Sequence, residues 1–158
     1  MTLKVFYTPL QSSTEASSYS PSAGKPLLAV QDWLSDPRIS PHIEVCDFLP
    51  ANRKALYNVH SRSYVDDVLD CRAENGFGNQ NAEIADTLIY TVGSMVAAAK
   101  HVLTSDDRCA VSPTSGFHHA GYDFGGGYCT FNGLMAAAAE VYHLGLAKRI
   151  LILDFDQH

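Results

Sequence analysis

The chain has 158 residues, 46% of them apolar, enough for a single domain over residues 1–158 with a sizeable core. A formal charge of −6 excludes the basic footprint that grips a polyphosphate backbone, so no direct nucleic-acid partner is expected. No apolar run approaches the roughly 20 residues of a membrane span, and the N-terminal apolar run is too short for a secretory signal, so the chain reads as cytoplasmic with no membrane partner. Cys46, Cys71, Cys109 and Cys129 lie far apart with no C-x-x-C spacing, which predicts reduced, mostly buried thiols.

In chain order, residues 3–7 read as a short strand, and the Ser/Pro/Gly-rich stretch 11–26 as a surface loop. A helix is predicted from Pro26 to Leu34, stopped by Asp36-Pro37, and a second strand over 43–48. Apolar residues at helical intervals predict two short helices over 52–59 and 61–72, the second capped by Ser61. After a turn at 74–79 comes a long, alanine-rich helix over 82–103. Residues 109–112 read as a buried strand closed by Pro113, and 132–146 as a helix with Gly145 near its end. The apolar run Ile150-Leu151-Ile152-Leu153 is typical of a parallel strand covered on both faces. Strands alternating with helices predict an α/β fold built on a parallel sheet.

Two constellations carry chemistry. At the carboxyl end of the 150–153 run, strand alternation puts Asp154, Asp156 and His158 on one side, where open α/β sheets place ligand sites. A carboxylate and an imidazole make a partial zinc site, although D-x-D-x-H alone is equally an ordinary polar strand end. The second is His118-His119, a pair that can divide the work of base and acid if neighbouring carboxylates set their protonation apart. Gly125-Gly126-Gly127 lacks the G-K-[ST] ending of a phosphate loop. Cys129 reads as a small buried residue, and His42, His60, His101 and His143 as structural or solvent-exposed groups.

Gly116-Phe117-His118-His119-Ala120, then Gly126-Gly127-Tyr128-Cys129-Thr130-Phe131-Asn132, then Ile150 through Asp154-Phe155-Asp156-Gln157-His158, preceded by His60-Ser61-Arg62-Ser63-Tyr64, resemble the histone deacetylase family signature in order and spacing. The resemblance implies an arginase/deacetylase-like three-layer sandwich with a parallel central sheet. It implies a zinc-dependent hydrolase that removes acyl groups from protein lysine, acetylated polyamines or small acetylated amides. Carried over, Asp156 and His158 are zinc ligands, and Asp154 orients His118 and helps hold a structural potassium ion. His119 is then the general base and acid, and Gly127 and Tyr128 line the tunnel for the acyl-lysine stem. Tyr128 stands where family members often have phenylalanine. Arginase relatives share the sheet but use D-x-H-x-D, the reverse order.

Family members draw a third zinc aspartate, a carboxylate partner for the second histidine and a transition-state tyrosine from later segments, and no position here matches them. The expectation is therefore a truncated catalytic domain: a fragment, or one half of an assembly completed by a homo-oligomer or a complementing chain. The alternative function is an inactive or partner-binding remnant.

Overall fold

The computed structural model describes residues 2–13, 17–18 and 20–158. Strand β1 (Leu3–Phe6) pairs in parallel with β2 (Ile43–Cys46) on one side and β3 (Ala110–Val111) on the other, giving the order β2-β1-β3. The register sets Val5 opposite both Val45 and Val111. Parallel neighbours need crossover connections, and helices supply them. Helix α1 (Pro21–Ser35) links β1 to β2, while α2 (Arg53–Tyr57), α3 (Arg62–Leu69) and α4 (Ala82–Thr104) lie between β2 and β3. Helix α5 (Gly133–His143) follows the loop after β3.

Alternation along β1 decides the layering. Val5 and Tyr7 point to one face, where they meet Leu27, Val30 and Trp33 of α1. Phe6 points to the other, its ring 5.4 Å from that of His101 in α4, and its carbonyl accepts from the Ser94 hydroxyl of the same helix. Helix, sheet and helix thus stack in three layers. A second core joins the helices: Leu56 of α2, Tyr64, Val65 and Val68 of α3, Leu88 and Val92 of α4 and Ala136 of α5 close around Phe117 and Phe131 from the loop between β3 and α5.

Helices α2 to α5 start where side-chain caps accept the first free amides. Asn52 accepts from Ala55, Ser61 from Tyr64, Asn81 from Glu83 and Ile84, and Asn132 from Met135. The end of α5 is closed by a left-handed Gly145 (φ +70°), with the Leu146 amide returning to the Val141 carbonyl at 3.0 Å.

Four expectations need correction. Helix α1 starts at Pro21, not Pro26: a proline is tolerated in a first turn, and the apolar stripe of Leu27, Val30 and Trp33 against the sheet holds the helix although Pro26 lacks an amide hydrogen. Of the loop expected over 11–26, residues 14–16 and 19 lie outside the described residues. The strand expected over 109–112 is only Ala110–Val111 and half-buried, because β1 offers partners to those two residues alone. All four cysteines are free thiols, but only Cys129 is buried; Cys46 and Cys71 are half-buried and Cys109, just outside the sheet, is exposed.

The last correction concerns residues 150–153, which form no strand because their backbone finds no ladder partner among the described residues. The chain nevertheless alternates as an extended segment does. Ile150 and Ile152 are 43% and 38% exposed, against 80% and 66% for Leu151 and Leu153.

Gly93, inside α4, lets the helix touch the 49–51 segment: a Cβ there would stand 2.7 Å from the Leu49 carbonyl oxygen and 2.9 Å from the Ala51 nitrogen. Gly93→Ala should therefore lower the unfolding free energy by about 1–3 kcal/mol, overriding alanine's roughly 1 kcal/mol advantage in a helix. Urea denaturation of the two proteins measures it, and a stabilised variant would show that the contact gives way freely.

Candidate active site

The loop after β3 carries both histidines on a tight turn. Phe117 and Ala120 are buried, and the Ala120 amide returns to the Phe117 carbonyl at 3.2 Å. His118 and His119 are held between these two anchors, their rings 4.2 Å apart and 78° to each other.

Residues 126–129 then form a two-residue hairpin. The Gly126 and Cys129 amides exchange hydrogen bonds with each other's carbonyls at 3.0 and 2.8 Å. Gly127 and Tyr128, the central residues, both have positive φ (+52° and +63°), as a type I′ turn requires. Glycine is needed at 127 for a second reason, since a Cβ would stand 2.5 Å from His119 Cδ2. Tyr128 takes a left-handed backbone that costs an L-residue about 1–2 kcal/mol. It is held there by its amide, which donates to the Gly76 carbonyl at 3.0 Å, and by its ring, 5.7 Å from Phe77. The glycines thus serve a turn against the histidines, in keeping with the missing G-K-[ST] ending.

The extended segment 150–158 runs back to this loop. Asp154 Oδ2 lies 3.0 Å from His118 Nδ1, and Asp154 Oδ1 accepts from the Asp156 amide at 3.0 Å. Asp156 Oδ1 accepts from the His158 amide at 2.8 Å and stands 3.2 Å from His158 Nδ1. The His158 amide holds the Asp156 carboxyl below the usual carboxylate range.

His118, His119, Gly127, Tyr128, Asp156 and His158 all line one pocket of about 650 Å³, and Asp154 reaches it through His118. All the residues singled out from the sequence therefore come together. The rest of the lining was not anticipated. Thr114, Ser115 and Gly116 adjoin the histidine motif, but Ser20 and Lys25 arrive from the start of α1, and their sequence context carries no signal of it. Cys129 also lines the pocket; burial pushes its thiol up, which keeps it protonated and argues against a nucleophile.

The donor set for a metal is small. No group of three or more His, Cys, Asp or Glu side chains among the described residues is placed to hold an ion. Asp156 and His158 have the right chemistry for zinc but make up half of the four positions it fills in structural sites, and they are turned toward each other. By themselves these residues do not make a zinc site.

His60, expected to be structural, is buried. Its Nδ1 is 3.3 Å from the Tyr122 carbonyl, and its Nε2 accepts from the Asn132 amide at 2.9 Å. Burial pushes its protonation below the ordinary value of 6.5.

Residues 21–158 match the family model described as "Histone deacetylase domain". An uncharacterized protein of Picosynechococcus sp. is 32% identical over 112 residues, covering 68% of this chain and 37% of that protein. Histone deacetylase 6 of Caenorhabditis elegans is 29% identical over 154 residues, covering 87% of this chain and 16% of that protein. Among solved structures, the HDA15 HD domain superposes with a TM-score of 0.75 at 18% identity, over 91% of this chain and 44% of that one. The chain thus spans less than half the length of each of these proteins.

Two outcomes follow from the turn and the buried histidine. Tyr128→Gly should leave the unfolding free energy equal or raised, because about 1–2 kcal/mol of backbone strain is relieved against about 0.4–1 kcal/mol of added chain entropy; a fall of more than about 1 kcal/mol in urea denaturation would contradict the strain assignment. His60, depressed in the folded chain, contributes stability that is present above pH 6.5 and lost as pH falls from there through its folded value, since the unfolded chain then binds the extra proton. Subtracting the urea midpoint of His60→Gln from that of the wild type across pH 4 to 8 should show that slope, and a flat difference would refute it.

Proposed function

Because the chain belongs to the histone deacetylase family, we propose that its pocket is the acid–base half of an amide hydrolase acting on acylated amines, with acetylated lysine side chains or acetylated polyamines as the substrate class. One observation carries the reading. A carboxylate from the 150–158 segment and an imidazole from a loop more than thirty residues earlier meet at 3.0 Å, beside a second imidazole and over an open pocket.

In this reading Asp154 orients His118 across their 3.0 Å contact. Its second oxygen is already engaged by the Asp156 amide, which supports the orienting role over the potassium role. His119, pressed against Gly127, takes a proton from the attacking water and returns it to the leaving amine. Gly127 and Tyr128 give one wall of the channel for the methylene stem, an aromatic face suited to an apolar chain. The products are a carboxylate and a free amine.

Zinc dependence is part of the proposal. Asp156 and His158 would supply an oxygen and a nitrogen ligand, and a bound zinc ion supplies electrophilic activation of an amide carbonyl. The incomplete donor set favours a second reading, a non-catalytic remnant that binds a partner.

Release of amine from an acetyl-lysine peptide by the purified chain with added zinc separates the two. The hydrolase reading expects turnover that a chelator abolishes and that His119→Ala lowers by about 10²-fold or more, as removal of a general base does. A folded chain with no turnover, or turnover unchanged in His119→Ala, would overturn it.

A further inference from the structure

We propose that His60 is a positioning residue of this pocket: its imidazole ties the histidine turn to the start of α5 and so sets where His118 and His119 stand. The inference rests on reading the pocket as a deacylase site, yet His60 itself lines no part of it.

His60 occupies the corner between α2 and α3 and is 1% exposed, with its own amide donating to the Leu56 carbonyl at 2.9 Å. Both ring nitrogens are committed to backbone groups. The Asn132 amide can only donate, so Nε2, 2.9 Å away, accepts. The Tyr122 carbonyl can only accept, so Nδ1, at 3.3 Å, carries the hydrogen. The pair of contacts therefore forces one neutral tautomer.

These two contacts belong to a closed set. Asn132 Nδ2 donates to the Ala120 carbonyl at 3.2 Å, and the Ser61 amide donates to the Tyr122 carbonyl at 2.9 Å. His60 to Tyr122, His60 to Asn132 and Asn132 to Ala120 thus form a ring of hydrogen bonds around residues 120–122, the segment that leaves His119. On the other side of the turn the buried Phe117 holds His118. Packing alone does not account for a histidine here. The Phe131 and Tyr64 rings, 5.4 and 5.8 Å away, would pack against an apolar side chain of similar size, but such a side chain leaves the Asn132 amide and one Tyr122 contact without partners.

Three variants of the full chain take the ring apart. The Gln side chain of His60→Gln places a carbonyl oxygen near the Nε2 position and keeps the Asn132 contact. His60→Asn keeps a donor near Nδ1 for Tyr122, and His60→Leu keeps neither. Amide hydrogen exchange is read at residues 118–122, at Asn132 and, as a control, across α4, alongside kcat and KM for an acetyl-lysine peptide. His60→Leu should speed exchange at 118–122 and at Asn132 by about tenfold or more, the loss of one buried hydrogen bond, with α4 unchanged. It should lower kcat about tenfold with KM within about twofold, as displacement of catalytic groups away from substrate contacts does. Asn132 should stay protected in His60→Gln and open in His60→Asn, a contrast that stands even where His60→Leu does not fold. Wild-type exchange and kcat in His60→Leu, or opening shared equally by α4, would overturn the proposal. If the wild type has no activity while the exchange pattern appears as described, the positioning role stands and the deacylase reading falls.

Discussion

The site depends on the burial of Phe117 and Phe131 in the core formed by α2 to α5. Each aromatic ring that leaves water there contributes on the order of 2–3 kcal/mol, more than any polar contact in the pocket. Because the two rings sit at opposite ends of residues 117–131, their burial closes that loop and leaves only short spans free to vary. His118 and His119 fall directly after the first anchor, and the Gly126–Cys129 hairpin falls directly before the second. Local hydrogen bonds then need only refine a geometry that apolar packing has already set.

The other half of the pocket is held differently. Residues 150–158 have no strand partner among the described residues and meet the histidine loop through Asp154, whose side chain is 46% exposed. A contact of that kind is worth about 1 kcal/mol or less. The two histidines are thus anchored between buried residues, while Asp156 and His158 are placed by an extended segment with exposed side chains, 50% and 78%. Catalysis by a metal–imidazole pair demands tight relative placement of both halves. In this chain buried groups anchor the histidine turn, and the 154–158 segment meets it through one exposed contact.

Much of this was legible in the sequence. Ser61, set before an apolar periodicity, announced the α3 cap, and the order of the histidine, glycine-tyrosine and D-x-D-x-H segments announced a shared site and the arginase/deacetylase-like fold that the superposition bears out. What stayed hidden depends on distant partners. Ile150 to Leu153 has the composition of a buried strand, but composition states a preference for cover, and a ladder forms only where another backbone supplies it. The start of α1 was masked by Ser, Pro and Gly, whose turn chemistry is outweighed by Leu27, Val30 and Trp33 against the sheet. Nothing in the local context of Ser20 and Lys25 could have placed them in the same pocket lining as His118.

Tyr128 shows how the layers of the structure converge on chemistry. A type I′ turn prefers glycine at that position, so a tyrosine there works against the turn's own stability. Its left-handed backbone persists because the surroundings leave no alternative: the Gly76 carbonyl takes its amide, Phe77 backs its ring, and the Cys129 backbone packs so closely on Gly76 that a Cβ there would stand 2.3 Å from the carbonyl oxygen. Strain that neighbours over-determine in this way concentrates at functional sites. The gain is an aromatic face on the pocket wall, next to the glycine whose missing Cβ lets His119 approach, and both features come from one two-residue turn. A single tight hairpin thus sets both an aromatic face of the pocket and the seat of the second histidine.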